Sequence, residues 1–148
     1  MKAPPRDHDE SIVDRIHWIE IGWYGVLISV VTIISFGLGG RIHTVEMSSN
    51  KIVTISFLTL AFAQLWHVFN MRELTSGILR NEVTENKYIW GALALSCIIL
   101  ISAIYVPVIS SVLSIEPPNL QGWLLILGMS LVPLLAGQAE REIRGKLD

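Results

Sequence analysis

Apolar residues fall into four long runs separated by short polar breaks. The runs cover about Trp18 to Leu38, Ile52 to Met71, Tyr88 to Ile109 and Gly122 to Gln138, and roughly 20 mostly apolar residues carry a helix across the hydrocarbon core of a bilayer. The pattern predicts an all-α membrane protein built as a four-helix transmembrane bundle. The fourth run, at ~17 residues, is at the short limit of a span. Trp123 suits an interfacial anchor for it, and Pro133 kinks rather than forbids a membrane helix.

The breaks carry turn chemistry. Gly37, Gly39 and Gly40 end the first run, Met47 to Asn50 form a polar turn before the second, and Glu116-Pro117-Pro118-Asn119 interrupts the chain before the fourth. Ser11 followed by Asp14 resembles a capping box, which starts the first helix before the hydrocarbon. The segment from Arg72 to Asn86 mixes charges with Leu74, Ile78 and Leu79, as a short amphipathic helix lying on a membrane or partner would. Residues 1–17 and 139–148 remain as tails. The opening MKAPPRDHDE is polar with two prolines, and the first apolar run is too long for the core of a cleavable signal.

Basic residues set the expected orientation. Lys2, Arg6 and Arg15 lie in the amino-terminal tail, Arg72, Arg80 and Lys87 between the second and third runs, and Arg141, Arg144 and Lys146 in the carboxyl tail, which is nine of the eleven. Only Arg41 and Lys51 fall on the other side, so the positive-inside rule places both termini in the cytosol. Bulk composition agrees with a membrane protein. Charged residues make up 16%, against about 25% in soluble domains, and the mean hydropathy is +0.53. Lipid is then the expected surrounding. A net charge of −2 gives no reason to expect a nucleic-acid partner.

Catalytic and metal chemistry finds no constellation. The single cysteine, Cys97, lies in an apolar run and forms no disulfide within one chain. His8, His17, His43 and His67 are scattered without cysteine or carboxylate at metal-ligand spacing. No serine and histidine combine with an orienting acid, and no cofactor motif is present.

The exception to the apolar pattern is FAQLWHVFNMR, residues 62 to 72, where Gln64, His67 and Asn70 interrupt the second run. At 100° per residue, Ser56, Thr59, Ala63, His67 and Asn70 fall within an arc of about 80°, and Gln64 lies roughly 60° beyond it. Phe62, Leu65, Trp66, Val68 and Phe69 take the other side. Polar groups at this depth face protein or a wet cavity. Two readings stay open: hydrogen-bonding contacts between helices, or an ion pathway in which Gln64 offers an oxygen to a cation. None of the three is a carboxylate, and a hard cation takes several oxygens.

The stretch FLTLAFAQLWHVFNMR (57 to 72) resembles the eighth membrane helix of P-type cation-transporting ATPases of the calcium-pump type, and YVPVISSVLSIEPPNLQGWLLILGMSLVPLLAGQAERE (105 to 142) resembles their ninth-to-tenth helix region. The opening MKAPPRDHDESI is similar to the cytosolic loop that joins their sixth and seventh helices. The resemblance runs in order over essentially the whole chain. It implies the last four helices of such a pump, a multi-pass protein of the plasma (inner) membrane, with calcium or another cation as cargo. The position matching Gln64 is a carboxylate completing an ion site in some calcium pumps and commonly glutamine in related ones, which implies a neutral oxygen near a cation path. His67 and Asn70 match polar positions on the same helix.

The pump's catalytic motifs are absent from the sequence. There is no Asp-Lys-Thr-Gly-Thr phosphorylation motif, no Gly-Asp-Gly magnesium loop, no Walker loop and no Pro-Glu-Gly-Leu segment. The resemblance therefore implies a support bundle, not an enzyme as an isolated chain, acting with a P-type ATPase catalytic chain as partner. Small residues at expected helix contacts are Gly22, Gly25, Ser29, Gly91, Ser96, Gly128 and Ser130. Glu20, the one carboxylate close to the core of a span, allows a different function. Small four-helix multidrug exporters place a glutamate amid Trp and Tyr in their first span, and here Trp18, Trp23 and Tyr24 surround Glu20. A pump-derived scaffold, a proton-coupled exporter using Glu20 and an inert remnant of a split pump gene are the three functional expectations.

Overall fold

The computed structural model describes residues 15–41, 48–70 and 83–144. The Ser11 and Asp14 box, most of the Arg72 to Asn86 segment and the basic residues Lys2, Arg6 and Lys146 lie outside them. The described residues form helices α1 (Arg15–Arg41), α2 (Ser49–His67), α3 (Lys87–Tyr105), α4 (Pro107–Leu113) and α5 (Leu120–Arg144), and a single 3₁₀ turn, Val68–Asn70, extends α2. Among the described residues there is no strand. Four of these helical stretches are long and apolar enough to cross a membrane: Trp18–Arg41, Ser49–Asn70, Lys87–Tyr105 and Leu120–Glu140.

The third apolar run is two helices rather than one. Pro107 disfavours helical geometry in the residue before it, and Val106 is extended, with φ −82° and ψ 114°. Pro107 then opens α4, where its missing N–H costs nothing. Helix α4 ends at Ser114, whose φ is 53°. The Ile115 amide reaches back to the Ser110 carbonyl at 2.9 Å, the long closing bond of a Schellman ending. Side chains start the other helices. Ser48 accepts from the Asn50 amide at α2, Asn86 from the Tyr88 amide at α3 and Asn119 from the Gly122 amide at α5, each satisfying a donor that a helix start leaves without an intrahelical partner.

Helices α1, α2 and α5 pack on one another as a three-helix unit, and α3 lies at its edge, against α2 and, through its last turn, α5, before leading into α4. The faces that meet inside the unit are narrow. Helix α1 contributes Tyr24, Ile28, Val31 and Ser35, α2 contributes Thr54, Thr59, Ala63 and Asn70, and α5 contributes Ser130 and Pro133. Small and hydroxylated residues let membrane helices approach closely, where van der Waals contact and interhelical hydrogen bonds replace the hydrophobic effect as the cohesive force. A second, fatter cluster of Ile55, Leu58, Phe62, Ile104 and Ile126 joins α2 to α3 and α5, with Trp66 and Trp123 packed against it. Only Ile104 of α3 is buried. Its other large apolar residues, among them Leu95, Ile98 and Ile99, are exposed, as suits a helix bathed in lipid tails.

The small residues in contact differ in part from those the sequence suggested. A side chain added at Gly22, Gly25, Gly91 or Gly128 meets nothing within 4 Å, whereas one at Gly122 or Gly137 collides. The apolar pattern marks where a helix runs, but which glycine faces a neighbour depends on how the helix is rotated.

Candidate functional site

Two polar clusters tie the bundle, one at each end. Where α2 begins, Ser48 Oγ donates to Glu116 Oε1 at 2.8 Å, and the Glu116 amide donates to Thr54 Oγ1 at 3.2 Å. Thr54 Oγ1 in turn donates to the Asn50 carbonyl at 2.7 Å. The connection from α4 to α5 is thereby fastened over the first turn of α2. Beside it, Trp123 Nε1 donates to Tyr105 Oη at 3.3 Å.

At the other end, Asn70 is fully enclosed. Its Nδ2 donates to the Pro133 carbonyl at 3.1 Å and lies 3.5 Å from His67 Nδ1. Its Oδ1 accepts from Gln138 Nε2 at 3.0 Å, and the same Nε2 is 3.2 Å from the Phe69 carbonyl. An amide nitrogen only donates, so a bond with His67 Nδ1 requires that nitrogen to be the unprotonated one. The Tyr24 ring lies 4.3 Å from the His67 ring, centroid to centroid, tilted by 50°. Gly137 makes room for all of this: a Cβ there would sit 2.6 Å from Tyr24 Oη and 2.7 Å from Asn70 Cγ, and would run into Asn70 Nδ2.

The three polar residues of the second apolar run therefore go to different places. Asn70 joins α2 to α5, and half-buried His67 packs on α1. Gln64 is exposed, and among the described residues it has no hydrogen-bond partner. It shares an open face of α2 with Val53 and Phe57, flanked by the faces that contact α1 and α3. Glu20 is half-buried on α1 and is not a free carboxylate. Among the described residues no group of three or more His, Cys, Asp or Glu side chains is arranged to hold a metal ion.

Gln138, Gly137, Pro133 and Tyr24 escape sequence reasoning because their roles depend on contacts across the bundle. The Pro133 contribution is a backbone carbonyl, which carries no residue-type signal. Gln138 is the only one that could have been suspected, as an amide at the end of an apolar run.

A family model described as the C-terminus of cation-transporting ATPases matches residues 1–143. The chain belongs to that family. Over 143 residues it is 34% identical to a calcium-transporting ATPase of Bacillus subtilis, a match that covers 93% of this chain and 15% of the relative. It is 29% identical over 147 residues to a calcium-transporting ATPase of Listeria monocytogenes, covering 99% of this chain and 16% of the relative. A probable calcium-transporting ATPase of the plasma membrane type from Oryza sativa is 25% identical over 141 residues. The chain thus spans about 15% of the length of the curated relatives it matches. It is an integral membrane domain of the P-type cation-transporting ATPase family, the portion that lies apart from the catalytic domains. The exporter and remnant readings are not favoured by these matches.

Proposed function

We propose that this domain is the supporting helix bundle of a P-type cation pump, and that Gln64 is its contact with the ion-carrying part. The observation that carries the reading is the exposed amide of Gln64 amid apolar neighbours on α2. At membrane depth a polar group without a partner costs several kcal/mol, so this face is completed by protein or by a cation path rather than by lipid. The glycines Gly22 and Gly25 of α1, which have open space above them, give a further helix room to approach.

In this reading both termini face the cytosol, the membrane is the plasma membrane, and the cargo is calcium, the ion in the names of the relatives. Gln64 supplies one neutral oxygen, and the other ligands a hard cation takes come from helices outside this chain. Hydrolysis of ATP belongs to the catalytic part alone, to which the bundle is joined or with which it assembles.

The test is a mild-detergent pull-down of the tagged chain from its native membrane, with the co-purifying proteins identified and calcium-dependent ATPase activity assayed. Recovery of a phosphorylation domain with calcium-dependent ATPase activity, weakened by Gln64→Ala, supports the reading. Recovery of the folded chain alone, without that activity, refutes it as a pump subunit.

A further inference from the structure

Gln64 lies on α2 and Asn70 ends the 3₁₀ turn that extends it, and the two side chains have opposite surroundings, exposed for Gln64 and fully buried for Asn70. One faces out of the bundle and the other into α5. We propose that the junction of Asn70, Gln138 and the Pro133 carbonyl is a rotational lock on α2, which sets the direction in which Gln64 points. Asn70 and Gln138 are then positioning residues for the contact made by Gln64. The inference rests on reading that residue as the contact with the rest of a pump.

The lock is directional at both ends of the Asn70 carboxamide. Its Nδ2 is bonded to a backbone carbonyl of α5 and its Oδ1 to a side chain of α5, in a fully buried site. A side chain on a helix sits about 5 Å from the axis, so turning α2 by only about 20° carries it roughly 2 Å. A 3.0 Å hydrogen bond does not survive that displacement. The slot over Gly137 adds a steric stop, since the carboxamide sits where any α5 side chain would be.

Among the described residues no other side-chain hydrogen bond joins α2 to α5, which otherwise meet through apolar contacts such as those of Ile55, Leu58 and Ile126. The hydroxyl of Thr59 is turned back to the Ile55 carbonyl of its own helix at 2.8 Å, and that of Ser130 to Leu127 at 3.1 Å. Ala63 offers only a methyl group. Packing of this kind holds two helices together while leaving rotation weakly specified. The bonds of Ser48 and Thr54 at the opposite end go to Glu116 in the connection, not to α5 itself.

The test uses the full chain in lipid nanodiscs with Cys97→Ser, carrying a nitroxide label at position 57, 61, 64 or 68 in turn. Oxygen accessibility of each label reports which face of α2 is open. Gln138→Met keeps the bulk and removes the hydrogen bonds, and Asn70→Leu does the same for the other partner. The expected result is a change of about twofold or more in the ratio of accessibility at 64 to that at 61, as α2 turns through part of its 100° residue step. A space-filling role alone leaves that ratio where it was, and an unchanged ratio in folded Gln138→Met overturns the proposal even where Asn70→Leu fails to fold. The pump reading is judged separately by the calcium response of Gln64→Ala. A shifted ratio with no calcium response keeps the lock and removes the pump reading, and the reverse pattern removes the lock and keeps the reading.

Discussion

Replacing Gly137 by alanine sets helix propensity against packing in a way that the structure decides. Alanine in a helix interior is favoured over glycine by about 1 kcal/mol, and on that ground alone the variant gains stability. The added Cβ, however, lies 2.7 Å from Asn70 Cγ and 2.6 Å from Tyr24 Oη, so the carboxamide must retreat by roughly 1 Å to reach ordinary contact. That lengthens the 3.1 Å bond to Pro133 and the 3.0 Å bond to Gln138 past useful range. Each is worth ~0.6 to 1.5 kcal/mol, the lower value being typical between membrane helices. Stranding the buried amide adds about 1 to 3 kcal/mol. Offset by the propensity gain, the net loss is about 1 to 5 kcal/mol. Reversible unfolding of the purified chain in mixed micelles, titrated with a denaturing detergent, measures it. Gly128→Ala is the control, because its Cβ meets nothing within 4 Å, and it is expected to be neutral or stabilising by up to about 1 kcal/mol. A Gly137→Ala chain as stable as wild type, alongside an unaffected Gly128→Ala, refutes the claim that Gly137 seats Asn70.

Gln64→Ala should leave the stability of the isolated bundle within about 0.5 kcal/mol of wild type, since the exposed side chain makes no hydrogen bond among the described residues, while weakening the calcium response of the assembled pump; unfolding and ATPase assays read the two effects. Ser35→Ala removes a buried hydroxyl that has no hydrogen-bond partner, so micellar unfolding should show it neutral or stabilised by up to roughly 1 kcal/mol. Glu116→Ala deletes the acceptor of Ser48 and should cost about 1 kcal/mol or more, with faster hydrogen exchange confined to the first turns of α2. Trp66→Phe breaks no hydrogen bond, because the Trp66 indole N–H has no acceptor, and it keeps an aromatic ring stacked near Phe62. Its expected cost is about 1 to 2 kcal/mol, from the smaller ring beside the apolar cluster, and micellar unfolding measures it.

Apolar run length made the helices legible in the sequence, because crossing a bilayer leaves few alternatives for a stretch such as 18–38 or 52–71. The break at Val106 was carried by Pro107, but the apolar character of the residues on both sides conceals it when hydropathy alone is followed. The family was legible from ordered motifs such as QLWHVFN. The division of labour among Gln64, His67 and Asn70 was less so. Their spacing gave their relative directions, yet which direction meets another helix follows from where α1, α3 and α5 sit. Asn70 also finds its acceptor in a backbone carbonyl 63 residues away, a pairing that no local pattern encodes.

The two polar clusters have a joint mechanical effect on α2 and α5. One fastens the start of α2 to the connection entering α5 through Glu116, and the other fastens the far end of α2 to Pro133 and Gln138. Sliding either helix along the other by one turn, about 5.4 Å, would break both sets at once, so neither end can yield while the other holds. The pair behaves as a strut of fixed length through the membrane, able to carry a push from one face to the other. Helix α3 stands outside this strut, its last turn joined to α5 by the Trp123–Tyr105 bond and its Trp90 ring set against Phe69.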